Sequence, residues 1–257
     1  MKRFYTALIP ALAVAVLLLI LCGGCSTDSL RTEARAAIID QLYVLKPDQT
    51  FISRISELLE DYGFKIDIYQ GDEVTVDLYR KLPGYGYKLI IFRVHSGLLV
   101  KEEEMAAGTW LFTNEPHSQI KYTVERLTKR ILKARTHEDQ PWVFAIGSEF
   151  VRQDMEGQFD GTVIITMGCY SLQRSDLAEA FIQKGAGTYL GWDGNITLEY
   201  VDEATINLIE NLCRNSMNIK QAITSTVAEI GPEPVYDTQF ACYPASSVEK
   251  TLAQLIK

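Results

Sequence analysis

Two short apolar runs constrain this chain more than any other feature. Leu89 to Gly97 reads LIIFRVHSG and Val163 to Ser171 reads VIITMGCYS. Each is bulky, largely β-branched and without polar alternation, and each is too short for a buried helix, so both read as strands covered on both faces. A sheet covered on both faces needs helices on either side. Each run then breaks into a glycine-containing turn that carries a reactive side chain, His95 in the first and Cys169 in the second.

The rest of the chain supplies those helices. AAIIDQL (36–42) reads as a first buried strand. Asp48 then caps a helix with Ile52, Ile55, Leu58, Leu59 and Tyr62 at helical spacing, stopped near Gly63. FKIDIYQ alternates like a half-buried strand, EVTVDLYRKL fits either a short strand or a helix, and PGYGY turns into the first run. LLVKE and GTWLFTN, separated by the polar EEMAA, fit a β-hairpin, with Glu102–Glu104 as a solvated charge run. Residues 123–134 predict an amphipathic helix, and WVFAIG a strand or buried loop. Beyond Cys169, Ser175 and Asp176 open a helix with Leu177, Ala180 and Phe181 on one face, and GTYLGW is another buried strand. Helices follow at 202–213 and 219–229, then a Pro-rich loop, GPEPVYDTQFACYP, and a last helix. The alternation predicts an α/β three-layer sandwich with a mostly parallel sheet in flavodoxin-like order. In such sheets ligands meet the carboxyl ends of strands, where strand order reverses. His95 and Cys169 both stand at carboxyl ends and face one cleft if their strands are neighbours.

The amino terminus reads differently. Lys2 and Arg3 precede a 16-residue apolar run, Ala7–Cys22, followed by Gly23, Gly24, Cys25 and a polar stretch, the layout of a secretory signal. The run is shorter than the roughly 20 residues of a spanning helix, although Phe4 and Tyr5 extend it towards an uncleaved anchor. LCGGCS resembles a lipoprotein box, in which the cysteine after two small residues carries lipid. The expected division is therefore a signal segment (1–24), a lipidated tether from Cys25 (25–34) and one α/β domain (35–257), extracytoplasmic and held to the cell membrane; plain cleavage and an uncleaved anchor remain the alternatives.

Losing Lys2 and Arg3 takes the net charge from −8 to −10, which argues against nucleic acid as a partner, because phosphate binding relies on clustered cations. Three cysteines, Cys169, Cys213 and Cys242, remain in the domain. In an oxidising compartment Cys213 and Cys242 are expected to bridge across a 28-residue segment and leave Cys169 free, a link contributing ~3 kcal/mol by the chain-entropy model. No Cys-x-x-Cys, His-Glu-x-x-His or phosphate-binding glycine-rich signature occurs, so neither metal nor cofactor is expected.

A thiol attacks a carbonyl as thiolate, and at a pKa of about 8.5 it needs help from a neighbouring base. An imidazole takes the proton and later returns it to a leaving amine. A free cysteine is most often a small buried hydrophobe, and a strand-end histidine is most often structural; the pairing is what favours chemistry. Gly97 and Gly168 would let main-chain amides approach a substrate carbonyl, as an oxyanion requires. His117 and His137 lie in polar loops, with His117 the one substitute for His95. Trp192 in GWDG either packs in the core or walls a pocket, with Asp193 at its rim.

A hydrophobic strand ending in His near Gly, a hairpin, a second strand ending in Cys, the helix DLAEAFIQKGAG, the strand TYLGWDG and the helix NIKQAITST together resemble the cysteine peptidase clan of caspases, gingipains, clostripain and CHAT domains, over roughly residues 35–230. The resemblance is closest to the gingipain, clostripain and CHAT branches. It implies a caspase-like sandwich with Cys169 as nucleophile, His95 as acid and base, and Gly97 with the Cys169 amide at the oxyanion site. It also implies a peptide or protein substrate with a charged residue before the cleaved bond, for which Asp193 or Asp160 would favour a basic one. Family members read His-Gly directly, whereas Ser96 intervenes here, and the glycine common after the nucleophile is absent from CYSLQR. Both departures favour the alternative, a non-catalytic surface module that binds a peptide or protein partner in the same cleft.

Overall fold

Strand β1 (Ala34–Asp40) lies one strand in from the edge of the main sheet, its residues Ala36 to Ile39 wholly buried. In this computed structural model residues 34–99 and 108–257 are described. The signal segment, Cys25, the tether up to residue 33 and Glu102–Glu104 lie outside the described residues. Helix α1 (Gln49–Tyr62) starts where Asp48 accepts a hydrogen bond from the Phe51 amide at 2.9 Å, an N-cap. It ends at Gly63, whose φ of 104° is the left-handed conformation that glycine adopts freely. Strand β2 (Phe64–Gln70) follows, then α2 (Val76–Lys81), capped by Thr75, so that EVTVDLYRKL is helical. Strand β3 (Tyr87–Arg93) carries the first apolar run.

Next come β4 (Ser96–Leu99), β5 (Gly108–Pro116), α3 (Thr123–Leu127), β6 (Ile131–Ala134), β7 (Val143–Ile146) and α4 (Ser148–Gln153). Strand β8 (Val163–Thr166) is the second apolar run, followed by α5 (Asp176–Gln183), β9 (Thr188–Trp192), α6 (Leu198–Cys213), α7 (Ile219–Ile230), β10 (Phe240–Tyr243) and α8 (Leu252–Leu255).

The main sheet runs β2-β1-β3-β8-β9-β10, parallel throughout except for β10. Counted along the chain, its strands lie in the order 2-1-3-4-5-6, the flavodoxin-like arrangement with an antiparallel edge strand added. Side chains alternate between two cores. Ile38, Ile91, Ile165 and Leu190 pack beneath α1, α6 and α7, while Ile39, Ile90, Ile164 and Tyr189 meet α2, α4, α5 and a second sheet. The molecule is an α/β three-layer sandwich with a mostly parallel sheet. None of the helices among the described residues is long and apolar enough to cross a membrane.

Several expectations need correction. The first strand begins at Ala34, not Ala36. The helix expected over 123–134 is only α3; the chain turns at Lys129, where φ is 56°, and Ile131–Ala134 pairs with β7. Val124, Leu127 and Ile131 fit a helical stripe in spacing, but Val124 and Leu127 stay exposed and only Ile131 is buried, as a strand residue. With β4, β5 and β7 it makes an antiparallel sheet, β4-β5-β7-β6, of which the sequence reading contained the hairpin and, in WVFAIG as a strand or buried loop, β7, but not β6. The Pro-rich loop contains β10, which pairs with β9 and stacks Phe240 edge-on against Trp192 at 4.7 Å. Cys213 and Cys242 are free thiols, not a bridge. Cys213 is buried at the end of α6, and Cys242 sits 3.4 Å from the Thr188 hydroxyl.

Candidate active site

Strands β3 and β8 are parallel neighbours in the register Leu89↔Val163 to Phe92↔Thr166. His95 and Cys169 each lie three residues past that last pair, so they leave the sheet at the same height. The Met167 amide extends the pairing by donating to the Phe92 carbonyl at 2.9 Å, and the Ser96 hydroxyl donates to the Cys169 carbonyl at 2.6 Å. Strand order reverses between β1 and β3, so His95, after β3, borders the switch point where α/β sheets bind ligands, and Cys169 follows the next strand.

His95 is held from both sides. Its amide donates to Gln41 Oε1 at 2.9 Å, and its carbonyl accepts from the Phe112 amide at 3.0 Å. Gln41 Nε2 donates to Asn114 Oδ1 at 2.8 Å, while Asn114 Nδ2 donates to the carbonyls of Gln41 and Gly71 at 2.8 and 3.1 Å. The imidazole rests against the Phe112 ring. Burial, helped by the charges of His137 and Arg93, lowers its pKa to about 4. At neutral pH it is therefore unprotonated, and burial makes it a weaker base than a free imidazole.

The Cys169 thiol is partly buried at the margin of the core beneath α6 and α7. Its sulfur accepts from the Ile196 amide at 3.4 Å and donates to the Ile196 carbonyl at 3.7 Å. Among the described residues no hydrogen bond joins this thiol to His95. Catalytic hydrogen bonds are often long before substrate arrives. The Cys169 amide has no hydrogen-bond partner among the described residues, which leaves a main-chain donor beside the sulfur. The next residue, Tyr170, is left-handed with φ 55° and is held by its amide bond to the Gly194 carbonyl at 2.8 Å. That conformation costs roughly 1–2 kcal/mol for a residue other than glycine.

Gly168 is required by close approach. A Cβ there would lie 2.6 Å from the Val94 carbonyl oxygen and collide with the Ser96 hydroxyl. Gly168→Ala is expected to cost about 1–3 kcal/mol through overpacking and to displace Cys169. Removing the hydroxyl with Ser96→Gly should not rescue it, because the Val94 carbonyl belongs to the backbone. Thermal denaturation of the single and double variants checks this; full rescue by Ser96→Gly would contradict it. Gly97 has open space where a Cβ would be and pairs with Trp110 across the second sheet.

The remaining candidates lie elsewhere. Trp192, expected to wall a pocket, is buried on the helical side of the sheet against Tyr200 and Phe240. Asp193 is exposed, but its carboxylate accepts from the Thr238 hydroxyl and the Gln239 amide, both at 2.7 Å, and so anchors the loop before β10. Asp160 pairs with Lys88 at 2.7 Å. His117 lies just past β5 of the second sheet, its amide bonded to the Trp142 carbonyl and its ring near Phe144. Sequence reasoning missed Gln41, Asn114 and Arg93. The polar Asp40-Gln41 closing the apolar AAII run was the available signal for the first, since it marks another strand's carboxyl end.

No protein-family model matches the chain, and no curated protein matches it. Among solved structures it aligns with the Arg-specific cysteine proteinase gingipain R at 13% identity and a TM-score of 0.45, covering 86% of this chain and 45% of that one. It aligns likewise with the complex of Porphyromonas gingivalis RgpB pro- and mature domains, at 13% identity, a TM-score of 0.45 and coverages of 86% and 46%. The chain thus spans less than half the length of those proteins. Its own strand order and register put His95 and Cys169 just past the carboxyl ends of adjacent parallel strands of a flavodoxin-like sheet.

Proposed function

We propose that this domain is a cysteine peptidase in which Cys169 is the nucleophile and His95 the acid and base. The observation that carries the reading is the shared height of the two residues on adjacent parallel strands. In the reaction His95 takes the thiol proton as sulfur bonds to the substrate carbonyl carbon. The oxyanion forms against the Cys169 amide. The carbon–nitrogen bond then breaks as His95 returns the proton to the leaving amine. Water, deprotonated by the same imidazole, cleaves the thioester, and the proton restores the thiol. Mass spectrometry of a peptide library incubated with the protein tests this: cleavage products should form with the native chain and vanish with Cys169→Ala. Cleavage that persists in that variant would refute it.

A second reading, a peptide-binding module without catalysis, draws on the thiol's bonds to Ile196 in place of His95. Under either reading we propose export and lipid attachment at Cys25. Mass analysis of the membrane fraction should show a chain starting at a diacylglyceryl Cys25; an intact Met1 or an unmodified Cys25 would contradict it.

A further inference from the structure

The second sheet bears a groove of about 950 Å³ that does not include the His95 or Cys169 side chain. Trp110 and Trp142 line it together with Arg126, Lys133 and Arg135, and among the described residues no carboxylate side chain does. This is unusual on a chain of net charge −8. Among the described residues none of the three cations forms an ion pair, whereas Arg130 nearby pairs with Asp154 at 2.9 Å. Arg126 donates only to main-chain carbonyls, those of Ser118 and Gln119 at 3.1 and 2.7 Å and that of Lys121 at 3.5 Å. Lys133 and Arg135 stand over the Trp142 ring, 4.7 and 4.4 Å from its centre, and Arg135 also donates to the Glu138 carbonyl at 2.7 Å. His117, in the same wall, has its pKa lowered by burial and then by the charges of Arg126 and Lys133. The positive field is thus felt within the groove.

Apolar surface accompanies the charge. Leu127 is 79% exposed, Val124 63% and Trp142 40%. Strand β6, all four of whose residues line the groove, is an outer strand of its sheet, and outer strands have unpaired main-chain groups to which an extended peptide can add. Gly97, two residues after His95, belongs to the same lining. We propose that this groove binds an extended acidic segment of the polypeptide substrate, its carboxylates meeting Arg126, Lys133 and Arg135 and its apolar side chains meeting Trp142 and Leu127. The word substrate rests on the peptidase reading; the binding does not. Nucleic acid fits poorly, since three cations on an acidic protein give little counterion release. A concave groove also fits a peptide strand better than a flat lipid surface.

The full chain carrying Cys169→Ala, which prevents turnover, is titrated into a fluorescein-labelled twelve-residue peptide alternating Glu with Leu and Tyr, and into Gln and Lys counterparts. Anisotropy should show saturable binding of the Glu peptide, with the Gln peptide at least tenfold weaker. Adding Lys133→Glu and Arg135→Glu should weaken the Glu peptide at least tenfold and make the Lys peptide the better ligand. Lys133→Gln with Arg135→Gln should weaken the Glu peptide without that reversal, and serves if the charge reversal unfolds the domain. Equal binding of Glu and Gln peptides, or binding untouched in the variants, would overturn the proposal. So would stronger binding of a DNA oligonucleotide or of phosphatidylglycerol vesicles. Glu-peptide binding in a chain whose native form cleaves nothing would leave the groove standing and remove the peptidase reading.

Discussion

Replacing Arg93 with methionine is expected to destabilise the domain by about 3–5 kcal/mol. Arg93 is wholly buried. Its Nε and Nη2 fork onto Asp202 at 2.9 Å each, Nη1 reaches Asp40 at 2.8 Å, and Nη2 also meets the Lys46 carbonyl at 3.2 Å. Asp40 and Asp202 are themselves buried, so the substitution strands two carboxylates away from water. Adding Asp40→Asn and Asp202→Asn should recover much of the loss, because the cost comes from unpaired charge more than from lost attraction. The midpoint of denaturant unfolding reads the effect; a loss below about 1 kcal/mol would mean that the triad is not closed as described. The triad also underlies the candidate site, since Asp40 precedes the glutamine that holds the His95 amide and Arg93 lies two residues before His95.

The second large effect is on chemistry. Cys169→Ala is expected to abolish peptide cleavage while leaving the unfolding midpoint nearly unchanged, and His95→Ala to slow cleavage by about a hundred- to ten-thousand-fold. Because the imidazole titrates near 4, the acid limb of kcat/KM assigned to His95 should fall near that pH, well below the usual range of a free histidine. The same shift acts on stability. The folded pKa is depressed from 6.5 to about 4, so as the pH drops through that window the unfolded chain takes up the proton first and stability falls. His95→Gln should flatten that slope. A pH profile of denaturation in which the native protein and His95→Gln run parallel from pH 6.5 to 4 would contradict the burial of His95.

The parts of this fold that could be read in advance are those where one short segment carries all the information. Strands β3 and β8 are apolar at nearly every position because both faces are covered, and α1 carries its own cap in Asp48 and its own stop in Gly63. The second sheet is different. Its strand β6 shares the spacing of Val124, Leu127 and Ile131 with a helix, and only pairing with β7 decides the outcome. Strand β10 is only partly buried along its length, sits among prolines and exists because β9 offers it an edge. The candidate site divides in the same way. His95 and Cys169 announce themselves as reactive groups closing apolar runs. Gln41 and Asn114 lie 73 residues apart and become partners only once β1 and β5 are placed. Trp192 was ambiguous because the face on which a strand residue lies depends on the layer that covers it.

The most direct test of the central pairing is labelling with a library of peptide acyloxymethyl ketones, followed by peptide mapping of the adduct. The pairing predicts a single modification on Cys169, absent from Cys169→Ala and severely slowed in His95→Ala. Labelling on Cys213 or Cys242, or labelling of Cys169 that survives loss of His95 and fails in His117→Ala, would contradict it.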